Sequence, residues 1–411
     1  MPPDRHGEPD QTLVIVGASL AGAKAAEGAR TAGYDGRVVL VGAEDHLPYE
    51  RPPLSKAVLR GEVPPESTRV HDPSYYAEHD IELLTGRTVE GLEAQGDTEH
   101  GEHGRHVRLD GGDRIPFTAA ILATGAEPRR LNVPGADLGG IHYLRDIDGA
   151  ARLADAIRRA HRVAVIGAGW IGCEVAASAR QMGADVALVD PTPVPLQRVL
   201  GDEVGAVFGR LHADNGVELR LETGVVELRG HHTVEEVVLS GGGTEAADLV
   251  VVGIGVTPRV DLAAAAGLHV DNGVVVDVHL ATGVPGIYAA GDVASAWHPR
   301  YERHLRVEHW SNALNQGLTA GANAAGGSES YERLPYFFSD QYDLGMEYVG
   351  ASDPGDAVVV QGSLTDREFV AFWHRDGVVT AAMHANTWDA IDDMRAIVAE
   401  GRPLEELVGR G

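Results

Sequence analysis

A short, β-branched run, Thr12–Val16, stops at Gly17. Unbroken apolar character over so few residues predicts a parallel strand buried on both faces. Small apolar residues at helical spacing follow through Ala29, and a second run, Arg37–Val41, completes a βαβ unit. The same grammar returns about 150 residues later: Val163–Ile166, then Gly167, a helix to Met182 and a strand over Val186–Val189. A third strand running into glycine spans Leu249–Gly255. Two βαβ units so far apart predict two nucleotide-binding domains rather than a short-period solenoid.

The segments between these units carry hairpin signals. Gly104–Phe117 alternates around the turn Asp110-Gly111-Gly112, and Val217–Leu239 alternates with a break at Gly230 and a close at Gly241–Gly243. Glu99–Arg105 is polar and glycine-rich, which predicts a solvated hairpin tip. His100, His103 and His106 fall there at three-residue spacing, where a metal site is the weaker reading. Past Gly326-Gly327 the pattern changes. Tyr336, Phe337, Phe338, Tyr342, Tyr348, Phe369, Phe372 and Trp373 mark strands, and a last helix is expected over about Ala385–Glu400. The predicted architecture is α/β: two Rossmann-like dinucleotide-binding domains plus a small α+β C-terminal domain. Expected boundaries are residues 1–122 with 251–330 for the first domain, 123–250 for the second and 331–411 for the third.

Composition removes whole classes of function. With 411 residues and 44% hydrophobic content, the chain can bury a large core. A net charge of −27 disfavours nucleic acid and anionic membrane as partners. No apolar run approaches the ~18 residues of a membrane span. The polar opening MPPDRHGEPD lacks the apolar stretch of a signal peptide, so a cytoplasmic protein is expected. The lone cysteine, Cys173, excludes a disulfide framework, a CxxC redox pair and a multi-cysteine zinc site; a small buried hydrophobe is its expected role. Lys24 and Lys56 are the only lysines, which singles out each of them.

Candidate chemistry sits where strands turn into helices. In Gly17-Ala-Ser19-Leu-Ala-Gly22, glycine permits a tight turn and the approach of a pyrophosphate to the helix N-terminus, although Ser19 replaces the middle glycine of GxGxxG. Gly167-Ala-Gly169-Trp-Ile-Gly172 is a full match, and Asp190 ends the next strand 18 residues past Gly172. An acid there accepts from a ribose 2′-hydroxyl and repels a 2′-phosphate, which predicts NADH over NADPH. Ala289-Ala-Gly291-Asp292 places a carboxylate after glycine at a strand end, suited to polyol hydroxyls. Ala123-Thr124-Gly125-Ala-Glu-Pro128-Arg129 predicts a chain crossing between domains. Two dinucleotide sites in one chain imply electron transfer between two cofactors.

The Gly17 loop, the Ala123-Thr124-Gly125 segment and the Gly291-Asp292 pair, in that order, resemble the glutathione-reductase-like flavoproteins with two dinucleotide-binding domains. Pro48-Tyr-Glu-Arg51-Pro-Pro-Leu-Ser-Lys56, Val307-Glu308-His-Trp310-Ser-Asn312 and Phe338-Ser-Asp340-Gln341-Tyr342 narrow this further. They are similar to the FAD-dependent NADH:ferredoxin reductases of putidaredoxin reductase and biphenyl dioxygenase reductase type. The resemblance runs from Leu13 to about Val379. It implies electron flow from NADH through FAD to a ferredoxin, a [2Fe–2S] or similar small iron–sulfur protein serving a P450 or Rieske oxygenase. It assigns Gly17, Ser19, Ala21, Gly22, Glu44, Arg51, Lys56, Val89, Thr124, Arg129, Asp292 and Trp310 to FAD. Gly167, Gly169, Ile171, Gly172, Glu174, Asp190, Arg198 and Gly255 are assigned to NADH. The disulfide reductases of the superfamily carry a cysteine pair on the helix after the first βαβ unit; this chain has none there. Reductases of rubredoxin, quinone or a nitrite-reductase partner share these motifs, as does a non-enzymatic redox switch like apoptosis-inducing factor, and these alternatives stay open. So does the choice between monomer and homodimer.

The resemblance also names the redox residues: Lys56, Glu174 and Trp310. Lys56 and Glu174 are expected to pair over the flavin, within the ~6 Å of direct charge coupling, with Trp310 at the flavin ring. Ferredoxins of this type are acidic, so two anionic partners need a local positive surface to meet. The stretch His298–Arg306, with Arg300, Arg303 and Arg306, is expected to be a loop offering it, extended by Arg60 and Arg69.

Overall fold

The computed structural model describes residues 11–94 and 104–408. His100 and His103 lie outside the described residues. His106 opens a strand, and its Nδ1 lies 2.9 Å from the Gly104 carbonyl oxygen. Among the described residues no group of three or more His, Cys, Asp or Glu is arranged to hold a metal, and no helix is long and apolar enough to cross a membrane.

The described chain forms two compact units. One holds the chain up to Glu50, Thr68–Glu127 and Thr257–Arg333; the other holds Arg51–Ser67, Pro128–Val256 and the chain from Leu334 on. Two crossings, Glu127/Pro128 and Val256/Thr257, fall a few residues from the boundaries expected at 122 and 251, whereas Arg51–Ser67, expected within the first domain, belongs to the second unit. Local bonds explain the offset at the first crossing. Thr124 Oγ1 donates to the Arg259 carbonyl at 2.8 Å and keeps that turn within the first unit. The segments expected as second and C-terminal domains fall in one unit because they share a core, in which Cys173, Phe208, Phe337 and Met383 are buried together.

The first unit is built on a five-stranded parallel sheet in the order Ile287–Ala289, Ala119–Leu122, Thr12–Val16, Arg37–Val41, Ile81–Leu84. Its central strand is buried at all five positions, as the unbroken apolar run requires. The helix Leu20–Thr31 follows that strand and packs on the helix Trp310–Ala324. Contact is backbone-close. A Cβ on Gly317 would lie 2.4 Å from the Ala21 carbonyl oxygen and one on Gly321 2.0 Å from that of Ala25. Gly104–Phe117 contains the expected hairpin, His106–Leu109 with Arg114–Pro116.

In the second unit a parallel sheet runs Glu218–Arg220, Asp185–Val189, Arg162–Ile166, Leu249–Val252, Ile141–His142. Glu218–Arg220 corrects the reading of Val217–Leu239 as one hairpin. It is the edge strand of this sheet, and the hairpin is Val225–Gly230 with Val234–Leu239. The C-terminal part is a five-stranded antiparallel sheet, Tyr336–Gln341, Leu344–Gly350, Val378–Ala385, Glu368–Arg375, Ala357–Ser363, covered by the helix Ile391–Glu400. The helix expected from Ala385 therefore starts six residues later. Ala381–Ala385 has helical composition, but it pairs with strands on both sides and is fully buried, and tertiary pairing overrides propensity.

Candidate functional site

In the first unit, Gly17 adopts φ +115°, and a Cβ there would lie 2.1 Å from the Ala123 carbonyl oxygen. A Cβ on Gly22 would lie 1.9 Å from the Gly17 carbonyl oxygen. These two contacts fold the loop tightly onto the strand ends. Ser19 stands at the N-cap of Leu20–Thr31 in extended conformation, and its hydroxyl makes no capping bond. No acid occupies the first turn. The orphan N–H groups of that turn and the positive helix end are thus available to an anion. Ala21 faces Gly291, whose Cβ would lie 3.0 Å from that of Ala21. Gly291 N–H donates to Gln316 Oε1 at 2.9 Å, fixing the turn that presents half-buried Asp292. Burial pushes the His309 imidazole down to about 4, against the opposing pull of Asp292. Trp310, next in sequence, is half-buried at the start of its helix. Glu44 lies just past the strand Arg37–Val41 and accepts from the buried Tyr49 hydroxyl at 2.5 Å. Val89 opens the strand Val89–Glu93 and is half-buried.

The second loop repeats this geometry. Gly167 has φ +103°, and a Cβ on Gly172 would lie 1.8 Å from the Gly167 carbonyl oxygen. Gly169 caps the helix Trp170–Gln181 without a side chain, and a Cβ built on it meets no atom within 4 Å. This open position suits close approach by a pyrophosphate. Asp190 is engaged. Its Oδ2 accepts from the Ala168 N–H at 2.7 Å, and its Oδ1 from the Thr192 N–H at 2.8 Å and hydroxyl at 2.5 Å. The acid read as a ribose ligand is thus also a brace for the glycine loop. Oδ1 accepts two bonds and is filled, while Oδ2 accepts one and keeps acceptor capacity. Ile171 is 46% exposed in the first helical turn, and Arg198 is exposed on the helix Gln197–Asp214. Arg129 N–H donates to the Gly255 carbonyl at 2.9 Å and its Nε to that of Val256 at 3.1 Å, so Arg129 and Gly255 share one corner of this unit. Arg51 is also in this unit and donates to the Arg145 carbonyl.

Lys56 and Glu174 form the expected ion pair. Lys56 Nζ lies 2.7 Å from Glu174 Oε2, with side chains 12% and 5% exposed. Lys56 follows the short turn Pro52–Ser55, while Glu174 sits in the second turn of the helix Trp170–Gln181. Two hydroxyls complete the carboxylate: Ser55 Oγ at 2.5 Å on Oε2 and Ser339 Oγ at 2.7 Å on Oε1. Neither serine was signalled by residue type alone. The nearby Asp340 carboxyl is pushed up by desolvation and by Glu174, and pulled down by Lys56.

Two other expectations change or resolve. Cys173 is fully buried, and desolvation raises its thiol far above the ordinary range, as a small core residue requires. The stretch His298–Arg306 is a β-hairpin rather than a loop: Ala294–His298 pairs with Arg303–Leu305 around a turn. Trp297 is 38% exposed there, and Arg300 is exposed with it. Arg306 leaves the positive surface. Its side chain is 8% exposed, pairs with Glu308 at 2.6 Å and donates to the Asp292 carbonyl at 3.3 Å. Arg60 is likewise engaged by Glu62 at 2.7 Å, while Arg69 is exposed.

Comparison with known proteins finds matches over nearly the full chain. The family profile described as pyridine nucleotide-disulphide oxidoreductase matches residues 11–317, and the one described as reductase C-terminal matches residues 336–407. The ferredoxin–NAD(+) reductase component of the anthranilate 1,2-dioxygenase system of Burkholderia cepacia is 39% identical over 391 residues, 95% of this chain and 94% of that protein. Putidaredoxin reductase of Pseudomonas putida is 36% identical, covering 96% of this chain and 93% of its own length. Among solved structures, the covalent putidaredoxin reductase–putidaredoxin complex superposes with a TM-score of 0.91 at 34% identity, covering 97% of this chain and 95% of that one. The ferredoxin reductase for the CYP199A2 system of Rhodopseudomonas palustris gives 0.91 at 35% identity, covering 97% of both chains.

Proposed function

The chain belongs to the pyridine nucleotide-disulphide oxidoreductase family, and on that premise we propose that it is an NADH-dependent flavoprotein reductase that delivers electrons to a ferredoxin of an oxygenase system. The observation that carries this reading is the pair of uncapped glycine loops, one in each unit, in a chain whose only cysteine is buried. Disulfide chemistry needs a reactive thiol, and this chain offers none. FAD, when bound, accepts a hydride from NADH and passes electrons on singly; that chemistry belongs to the cofactor. The protein's share is to bind, orient and supply charge.

The first loop fits the FAD pyrophosphate through Gly17, Ser19, Ala21 and Gly22, with Asp292 and Glu44 taking polyol and ribose hydroxyls. Val89, Thr124 and Trp310 of the same unit complete that assignment; Arg51 and Arg129, which the family resemblance also gives to FAD, belong to the second unit. The second loop fits NADH through Gly167, Gly169, Ile171 and Gly172, with Asp190, Arg198 and Gly255 beside them. Lys56 supplies a fixed ammonium, held by Glu174, at the redox centre. The direct test is steady-state reduction of a purified [2Fe–2S] ferredoxin by NADH and the flavin-loaded protein. Faster turnover with a quinone or rubredoxin than with ferredoxin would replace the reading.

NADH is expected to be the better donor. Asp190 presents its carboxylate just past the strand Asp185–Val189, the position at which a Rossmann fold receives the adenosine ribose. A 2′-phosphate there meets like charge, which costs several kcal/mol. The kcat/KM ratio of NADH to NADPH is therefore expected to exceed about 100. A ratio at or below one refutes the role. Because Asp190 also braces the loop, Asp190→Ala is expected to raise KM for both nucleotides while narrowing the ratio.

Ferredoxin docking is proposed at Arg300 and Arg303 of the hairpin. Support comes from the exposure of Arg300 and from Trp297 beside the His304 ring, with centroids 5.4 Å apart. Arg300→Glu with Arg303→Glu is expected to raise KM for ferredoxin about tenfold, and much less for ferricyanide. Added salt erodes the wild-type advantage, because exposed charges are screened beyond ~8 Å at physiological ionic strength. Equal ferredoxin kinetics in both proteins would move the docking site elsewhere.

A further inference from the structure

Behind Glu174 runs a series of buried polar side chains that the redox assignment does not use. Ser339 and Gln341 alternate on the inward face of the strand Tyr336–Gln341 and are each 1% exposed. Gln341 Nε2 lies 3.3 Å from Ser339 Oγ, and Gln341 Oε1 lies 3.0 Å from Nε2 of His212. His212 is fully buried on the helix Gln197–Asp214, and its Nδ1 lies 3.4 Å from the Tyr342 hydroxyl.

The orientation of every hydrogen follows from one end. A carboxylate only accepts, so Ser339 Oγ donates to Glu174. The Ser339 oxygen then accepts from the Gln341 amide nitrogen, which turns the amide oxygen toward His212. His212 Nε2 must therefore carry a proton, leaving Nδ1 to accept from Tyr342. Burial pushes the His212 imidazole down to about 4, so it is neutral at pH 7 and has one proton to place. Hydrogen bonds aligned head to tail polarise one another.

We propose that Ser339, Gln341 and His212 form a polarised hydrogen-bond chain that positions the Glu174 carboxylate against Lys56. Ser339 is the contacting member, and Gln341 and His212 act through it. The proposal rests on the reading of Lys56 and Glu174 as redox-site residues. Lys56 and Asp340 face Glu174, on the turn and on the strand packed against its helix, with Arg60 and Glu347 acting on Asp340 in turn; Cys173, beside it in sequence, stays a neutral thiol. Lys56 lies on Oε2, and the hydroxyl of Ser339 is the donor on Oε1.

Two measurements test the chain in the flavin-loaded protein. In 15N NMR, the His212 ring nitrogens, assigned by their loss in His212→Gln, are expected to show a protonated Nε2 and a bare Nδ1 at pH 7. A proton on Nδ1 overturns the chain. In stopped flow, Ser339→Ala is expected to slow flavin reduction by NADH about tenfold, with the NADH dissociation constant within about twofold, and Ser339→Thr, which keeps the hydroxyl, to recover most of the rate. The same change in Glu174→Gln is expected to add less than about twofold. Equal slowing in both backgrounds means that Ser339 acts without Glu174, and overturns the proposal. If Ser339→Ala loses flavin, Ser339→Cys, of similar size but a weak donor, carries the same cycle. If Glu174→Gln leaves flavin reduction unchanged, the reading of the ion pair fails, and the imidazole tautomer alone decides the chain.

Discussion

Lys56→Met is expected to slow reduction of the flavin by NADH about 100-fold, equivalent to about 2.7 kcal/mol of transition-state stabilisation. The expectation follows from where the ammonium sits. It is 12% exposed and 2.7 Å from a carboxylate that is itself 5% exposed. Removing one partner of a buried pair leaves the other uncompensated, which costs about 3–5 kcal/mol. Glu174 keeps only the hydroxyls of Ser55 and Ser339, and two neutral donors do not replace a charge. Part of that loss appears as lower thermal stability and part as misplacement of Glu174. NADH affinity is expected to change little, because the glycine loop and Asp190 are untouched. Lys56→Arg is expected to rescue poorly, since a planar guanidinium does not fit a site shaped for a compact ammonium. Glu174→Gln should partly restore stability to Lys56→Met by removing the stranded charge. Stopped-flow reduction at the wild-type rate in Lys56→Met would end the role assigned to this lysine.

That pair was legible because the family resemblance implied both residues, and the scarcity of lysine made Lys56 after Leu54-Ser55 stand out. The two βαβ units were legible for a different reason. A strand buried on both faces has no polar positions, and the glycine that ends it is demanded by a carbonyl about 2 Å from where a Cβ would be. Thr12–Val16 and Arg37–Val41 therefore appear with the bounds their pattern predicts. Other features depend on distant partners. Ala381–Ala385 is a strand only because Met346–Gly350 and Phe369–Trp373 flank it. Ser339 lies 165 residues from the Glu174 it serves, and nothing near it in sequence announces that contact. Arg306 looked like part of a positive surface because charge along a chain says nothing of geometry. In the fold it turns onto Glu308, two residues on, and away from solvent.

Two substitutions in the second loop should separate folding from binding. A methyl on Gly172 would stand 1.8 Å from the Gly167 carbonyl oxygen, a backbone atom held by the Gly167 N–H bond to Val189. No side chain can move aside to relieve that contact. Gly172→Ala must open the loop or displace the helix Trp170–Gln181, which carries Glu174. It is expected to cost about 3 kcal/mol or more, lowering the melting temperature and abolishing NADH-dependent turnover together. Gly169 is the opposite case. Its φ of −78° and ψ of −177° suit any residue, and its Cβ direction is open to 4 Å. Gly169→Ala is therefore expected to leave the melting temperature within about 1 °C, because no backbone strain or clash arises. Yet the open direction lies at an uncapped helix N-terminus, where the N–H groups must reach an anion closely. A methyl there is expected to raise KM for NADH about tenfold or more while leaving the flavin spectrum unchanged. Unchanged NADH kinetics in a stable Gly169→Ala protein would show that the dinucleotide passes elsewhere, and the assignment of the whole Gly167–Gly172 loop would fall with it.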